Sequence, residues 1–191
     1  MKHYKKIFIE KEIQGRDFEN DVFDSCKFIA LTFKFTNFKS CKFNSCDFSE
    51  SMFESVGFSG CFFPGTKLSF LDFGGASITN CNFADAVAKN CIFQKLKMGS
   101  KSDRRNFDLR NCNFENTDLT SSVFVMCDLA DVSFNKSILE NGVFEKCNLE
   151  KADFREAKIF GCGFDNCKIK NTILDISGFI DYGSSKGFIL K

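Results

Sequence analysis

The chain contains no tryptophan, one proline and one histidine, and its 26 basic side chains are almost cancelled by 25 acidic ones. Each shortage removes a class of protein. His3 is the sole imidazole and lies at the very start, so a histidine-based triad or a histidine-rich metal site is excluded. A net charge of +1 supplies no basic field of the kind that holds nucleic acid, and direct nucleic-acid binding is not expected. No apolar run approaches the roughly 18 residues that span a bilayer. The opening stretch from Met1 to Glu10 is charged and lacks the apolar core of a secretory signal. These readings predict a cytoplasmic protein with no membrane partner. The length of 191 residues suits one domain with a sizeable core.

Against these shortages stand 27 phenylalanines and 11 cysteines, and both obey one frame. Phe recurs every five residues at Phe18, Phe23, Phe28, Phe33, Phe38, Phe43, Phe48, Phe53, Phe58 and Phe63. The beat continues through Leu68, Phe73, Ile78, Phe83, Ala88, Phe93 and Met98, and backwards to Ile13 and Phe8. After Met98 the phase slips by one residue. It resumes at Leu109, Phe114, Leu119, Phe124, Leu129, Phe134, Leu139, Phe144, Leu149 and Phe154, and finishes with Ile159, Phe164, Ile169, Leu174 and Phe179. All 11 cysteines, from Cys26 to Cys167, lie two residues before a beat. Asp or Asn often stands between, as at Asn37, Asp47, Asp118, Asp128 and Asp153.

A five-residue spacing advances about 140° past a full helical turn, so a helix would smear Phe around its axis. The apolar–polar–apolar triplet is instead a very short strand, and the polar pair after it is a corner. The cysteines then fall in stacked positions: Cys41, Cys61 and Cys81 are 20 apart, as are Cys127, Cys147 and Cys167, while the slip relates Cys91 to Cys112 at 21. Buried thiols act as small hydrophobes. The Cys41–Cys46 and Cys162–Cys167 spacings follow from the repeat alone, so no metal or cofactor is expected.

The runs Cys46-Asp47-Phe48-Ser49-Glu50, Cys112-Asn113-Phe114-Glu115-Asn116 and Ala152-Asp153-Phe154-Arg155-Glu156 resemble the pentapeptide-repeat family. That resemblance implies an all-β solenoid, a right-handed quadrilateral β-helix with four faces to a coil. Thirty-four repeats make about eight coils and a rod on the order of 40 Å long. One domain, 1–191, divides into an N-terminal cap (1–12), a first register (13–98), an interruption (99–108), a second register (109–179) and a C-terminal cap (180–191). Phe18 to Phe53, with Phe114, Phe124, Phe134, Phe144 and Phe154, form the expected core. Capping of the open end falls to Tyr182, Phe188, Ile189 and Leu190. Three glycines among the last residues, each costing about 1 kcal/mol in a helix, argue against a helical tail. Gyrase-protecting relatives commonly dimerise through such a helix, so the expected state here is a monomer or a weak dimer.

A coil filled by Phe and Leu leaves no pocket for acid–base chemistry, and the chain is read as a non-enzyme acting on a protein partner. Three sets of residues are candidates for that contact. Lys101, Arg104 and Arg105 in the interruption form either a bulge in a preserved coil or a projecting basic loop. Val123, Val125, Met126 and Val143 fall on outward positions of one face of adjacent coils. Asp118, Asp128 and Asp131 lie in the stretch 108–165, where 11 acids face 6 bases. The family resemblance implies a second reading, a DNA-mimicking binder of a type II topoisomerase. Duplex DNA carries one negative charge per about 1.7 Å, a density this chain does not approach.

Overall fold

The computed structural model describes residues 1–95 and 106–191. Its strands hold two to four residues, because each is cut short by the next corner. Every strand pairs in parallel with the strand one coil away, so that Phe38 lies opposite Phe18, Phe43 opposite Phe23 and Phe53 opposite Phe33. Five-residue steps and a 20-residue register give four faces per coil, and about eight coils stack into a solenoid. Face 1 carries Phe23, Phe43, Phe63, Phe83, Phe114, Phe134 and Phe154, and face 3 carries Phe33, Phe53, Phe73, Phe93, Phe124 and Phe144. Face 2 runs from Phe28 and Phe48 to Leu68, Ala88, Leu119 and Leu139. Face 4 runs from Phe38 and Phe58 to Ile78, Leu109, Leu129 and Leu149.

Rings of one face stack along the rod, as for Phe63 on Phe83 at 4.8 Å and 4° and Phe93 on Phe124 at 4.6 Å and 4°. Rings on adjacent layers of faces 1 and 3 meet edge to face, as for Phe114 and Phe124 at 6.1 Å and 86°. Both are the arrangements the ring quadrupole favours. In the upper coils faces 2 and 4 supply Leu, so two rings and two aliphatic chains fill each layer without voids. Phe18 is half-buried rather than enclosed, because nothing stacks beneath face 4 of the first coil.

The slot before the beat is more than small. Its side chain donates to the beat carbonyl of the preceding face, one coil below: Cys61 Sγ to Phe38 O at 3.3 Å, Cys147 Sγ to Phe124 O at 3.3 Å, Thr36 Oγ1 to Ile13 O at 3.0 Å. Cysteine, serine and threonine share the slot because each offers a donor in little volume. Burial pushes the thiols of Cys46, Cys91, Cys112 and Cys162 up to about 12, which leaves them protonated and unreactive. The Asp or Asn that follows turns the corner, accepting the N–H two residues on. Examples are Asp47 Oδ1 from Ser49 N at 3.0 Å and Asn113 Oδ1 from Glu115 N at 2.9 Å, a local Asx turn.

The interruption is larger than a one-residue slip. Asn82 pairs with Asn113, Val87 with Asp118 and Ile92 with Val123, each 31 residues away instead of 20. Cys112 therefore stacks on Cys81, not on Cys91, and Cys91 lies beneath Ser122, whose hydroxyl accepts the Cys91 N–H at 3.1 Å. Face 3 is continuous from Phe73 to Phe93 and face 4 resumes where Phe107 pairs with Cys127. Between Phe93 and Phe107 the chain thus holds 11 residues more than one coil needs. The choice between a bulge and a projecting basic loop falls on residues outside the described ones. Met98 and the bases Lys101, Arg104 and Arg105 lie outside the described residues.

Both ends depart from the simple beat. At the start, His3 takes a ring position: it stacks on Phe23 at 4.7 Å and 12°, and its Nε2 meets Asp21 at 3.1 Å. The strand Lys2–Tyr4 already pairs with Val22–Asp24, and helix α1 (Glu10–Ile13) leads into the buried Ile13. At the other end the ladder stops at Leu174, and helix α2 (Ile176–Ser185) covers the last coil. The glycines do not prevent it. Asp175 caps α2 by accepting Gly178 N–H at 2.8 Å and holds it to the coil by accepting Glu156 N–H at 2.6 Å. Tyr182 packs edge-on against Phe164 at 5.7 Å. Capping and packing outweigh propensity here. Phe179 leaves the beat and is exposed, as are Phe188, Ile189 and Leu190, so of the expected capping residues only Tyr182 takes that role.

The donor slot can be tested at Thr117, which is fully buried and donates to Phe83 O at 2.8 Å. Thr117→Val removes one of the two donors to Phe83 O and leaves the Ala86 N–H at 3.0 Å, and should lower stability by about 1 kcal/mol in urea unfolding. Thr117→Ser, which keeps the donor, should lose less. Equal midpoints for the wild type and Thr117→Val would show that the slot selects only for size.

Candidate protein-contact surfaces

The acidic candidates do not form a bare negative face. Asp118 accepts the Thr120 hydroxyl at 2.7 Å and pairs with Lys89 at 2.9 Å. Asp128 accepts Asn148 Nδ2 at 2.9 Å and faces Arg110 Nε at 3.5 Å. Asp131 stands exposed at a corner, 3.9 Å from Lys151 Nζ. Of the 11 acids in 108–165, eight have a cationic partner within 4 Å. Such exposed pairs add little stability, but they cancel the field that a nucleic-acid mimic would need. Partial burial would raise the Asp118 carboxyl, yet hydrogen bonds from Thr120 and Lys89 outweigh it and hold it below the usual carboxylate range.

The apolar candidates are brought together. Val123 pairs with Val143 and with Ile92 on face 3, and Val143 pairs in turn with Gly163. Val125 lies beside Glu145 on the same face. Met126 occupies the next corner in the left-handed region (φ 52°), and its carbonyl accepts the Phe107 N–H at 2.9 Å. The corner that carries Val125 and Met126 therefore lies directly above Phe107. Ile92 belongs to this surface and was not singled out, because only the 31-residue register places it under Val123.

Sequence reasoning missed two further surfaces. A cleft of about 870 Å³ runs along face 4 below the interruption, lined by Asn37, Gly57, Gly75, Ser77, Asn106 and Phe107. Helix α2 exposes Ile176, Phe179 and Ile180, three positions on one helical stripe. Beside it lies a smaller groove of about 310 Å³ between Phe154, Phe164, Ile169, Leu174, Phe179 and Tyr182. Among the described residues no group of three or more His, Cys, Asp or Glu is placed to hold a metal ion. Among them, too, no helix is long and apolar enough to cross a membrane.

The family profile described as pentapeptide repeats matches residues 33–69, 105–135, 127–166 and 137–175, in eight copies. No curated protein matches the sequence. Among solved structures, a trypsin-treated variant of QnrB1, described as a plasmid-mediated fluoroquinolone resistance protein, superposes with a TM-score of 0.74 at 16% identity, covering 100% of this chain and 99% of that one. Full-length QnrB1 superposes with a TM-score of 0.52 at 18% identity, covering 98% and 97%. At these identities the likeness is one of fold.

The lowered Asp118 pKa makes a signed prediction. A carboxylate depressed by folding adds stability above its unfolded pKa, about 3.9, and loses it as pH falls through the folded value. Asp118→Asn should therefore destabilise the protein by up to about 1 kcal/mol at pH 7 and by nothing at a pH below both values. A deficit that persisted unchanged in acid would assign the effect to the Thr120 hydrogen bonds rather than to charge.

Proposed function

Since the chain belongs to the pentapeptide-repeat family, we propose that it is a non-enzymatic scaffold whose right-handed quadrilateral β-helix presents a contact surface to a protein partner. One observation carries this reading: Ile92, Val123 and Val143 stand in register as one apolar row on the outside of face 3. Cross-strand pairing of these branched side chains gives the rod only about 0.2–1 kcal/mol per pair. A partner covering that face would gain about 25 cal/mol for each Å² of apolar surface removed from water. The surrounding charges are mixed and largely paired, so they define orientation more than affinity.

The partner class is drawn from the likeness to QnrB1, a fluoroquinolone resistance protein, and is a type II topoisomerase. Recognition here would run through the apolar face and the interruption, since the paired acids do not reproduce the charge of a duplex. Purified protein should protect gyrase from fluoroquinolone-induced cleavage or inhibit its supercoiling at micromolar concentration. The double variant Val123→Lys/Val143→Lys should lose that effect with its melting unchanged. Absence of any effect on gyrase and topoisomerase IV removes this partner class. A photo-crosslinker at Val125 then tests the scaffold itself, which fails if no protein is captured through that position.

The exposed stripe of α2 supports self-association as a second contact. The concentration dependence of sedimentation should reveal a weak dimer that Phe179→Asp abolishes, and a wild-type chain monomeric at high concentration would discard it.

A further inference from the structure

The two ends of the rod carry opposite charge on the same face. On face 4 the first strand is Asp17–Glu19, which pairs with Asn37–Lys39 above it. Its inward residue, Phe18, stacks on Phe38 at 5.0 Å and is only half-buried. Its two outward residues are acids, and both are held in place from the next coil. Asp17 accepts Asn37 Nδ2 at 2.8 Å, and Glu19 meets Lys39 Nζ at 2.8 Å. At the far end the same face finishes with Lys168-Ile169-Lys170, all three exposed. Ile169 is the inward residue, yet it is 47% accessible. The Leu149 and Lys151 N–H groups donate to Lys168 O and Lys170 O at 2.9 and 3.0 Å, which fixes this segment as the last rung of the face. Its outward residues are both cations, and both reach Glu150 in the coil below.

In the register that the solenoid keeps from coil to coil, a further rung would lie directly over Lys168, Ile169 and Lys170. Asp17-Phe18-Glu19 of a second copy fits that place. Phe18 closes over Ile169, each acid meets a lysine, and the outer column then reads Glu150, Lys170, Glu19, Lys39, alternating in sign. Two like ends cannot do this, because lysines would face lysines or acids would face acids, and like charges directly opposite are destabilising. The same stacking brings Phe160 under Ile9 on face 2, two residues that are 64% and 56% exposed in the single chain. Complementary but unlike ends make a head-to-tail contact, which along a rod axis does not close and yields a filament.

Helix α2 stands in the way. It lies over the last coil with Tyr182 against Phe164, and a helix about 10 Å across does not fit into a rung spacing of about 4.8 Å. Its hold is slight. Of its 10 residues only Gly178 is buried, and Gly178 and Gly183 both weaken it as a helix. Besides the Tyr182 ring, it is tied down by the two bonds to Asp175 and by Lys186 at 3.6 Å from Asp165. We propose that α2 is a releasable stop. While docked it keeps the rod single; once displaced it uncovers an end that takes the first coil of a second copy of this chain, with Lys168 and Lys170 set against Asp17 and Glu19. The inference goes beyond the scaffold reading and stands apart from the identity of any other partner.

Ile180→Pro tests this in the full chain. Ile180 is exposed, and a proline there breaks α2 without touching the solenoid. It also removes the exposed stripe of α2 as a contact, so any assembly that appears is not the α2 dimer. In sedimentation velocity the wild type should show no species larger than a dimer, while Ile180→Pro should form species that grow with concentration beyond one. Asp175→Ala, which removes both the cap and the tie to Glu156, reaches the same released state by a second route and should assemble in the same way. Within Ile180→Pro, Lys168→Glu/Lys170→Glu makes both ends acidic and Asp17→Lys/Glu19→Lys makes both ends basic. Each should assemble at least about tenfold more weakly than Ile180→Pro alone. Mixing the two should restore assembly, because every acidic end then meets a basic one. Released chains that stay single, a wild type that itself polymerises, or assembly indifferent to the charge reversals and their mixing overturns the proposal.

Discussion

The backbone of a solenoid has to be satisfied coil by coil, and that requirement governs this molecule. Each coil encloses a column of rings from which water is excluded, so every carbonyl and N–H at the inner wall needs a partner in the coil above or below. The parallel ladder serves three residues of each five. One of the three is the second corner residue, whose N–H donates to the coil above, as from Gly60 to Thr79 O at 2.8 Å, while the first corner N–H is left outside the ladder. Aspartate or asparagine before the beat takes up one corner N–H, and a thiol or hydroxyl two residues before the beat serves the carbonyl that bends away. The repeat is thus an account of backbone demand, with Phe filling the space that the demand encloses.

That origin explains why most of the fold could be read from the sequence and where the reading failed. Side chains that meet a recurring backbone need must recur, so the inward Phe ladders and the cysteine frame were legible residue by residue. The slot itself was under-read: cysteine was taken as a small hydrophobe, while the shared use of Thr36, Thr117 and Ser122 points to donation. His3 stands five residues before Phe8 and could have been placed in the ring ladder by the same count. The excursion could not be measured, because adding 11 residues to a five-residue beat looks the same as adding one. Only the pairing of Ile92 with Val123 separates the two. Helix α2 was hidden for a different reason. Its glycines speak against it locally, and what fixes it is Asp175 bonded to Glu156 one coil back, a tertiary contact with no local signal.

The candidate contact residues divide along the same line. Val123 and Val143 share a face by simple periodicity, so their juxtaposition was available from the sequence. The acids were available too, but their meaning depended on partners 18 to 31 residues away. Lys168 reaches Glu150 and Asn116 reaches Asp85 across coils. Stacking brings charges of opposite sign into columns about 4.8 Å apart, so that most acids of the second register meet a cation within 4 Å. A regular rod is therefore a poor way to build a one-signed field unless its composition is strongly biased, and this one is not.

Function is left to the places where regularity lapses. A perfect coil offers partners only small polar side chains and satisfied backbone, a surface with little to hold. Face 3 runs on uninterrupted past the 11 surplus residues and displays Ile92, Val123 and Val143 in one apolar row. The stacked rings of Phe73, Phe93 and Phe124 carry the core across the break, so the rod stays rigid where its surface becomes distinctive. A rigid surface pays less to bind than one that must first order itself.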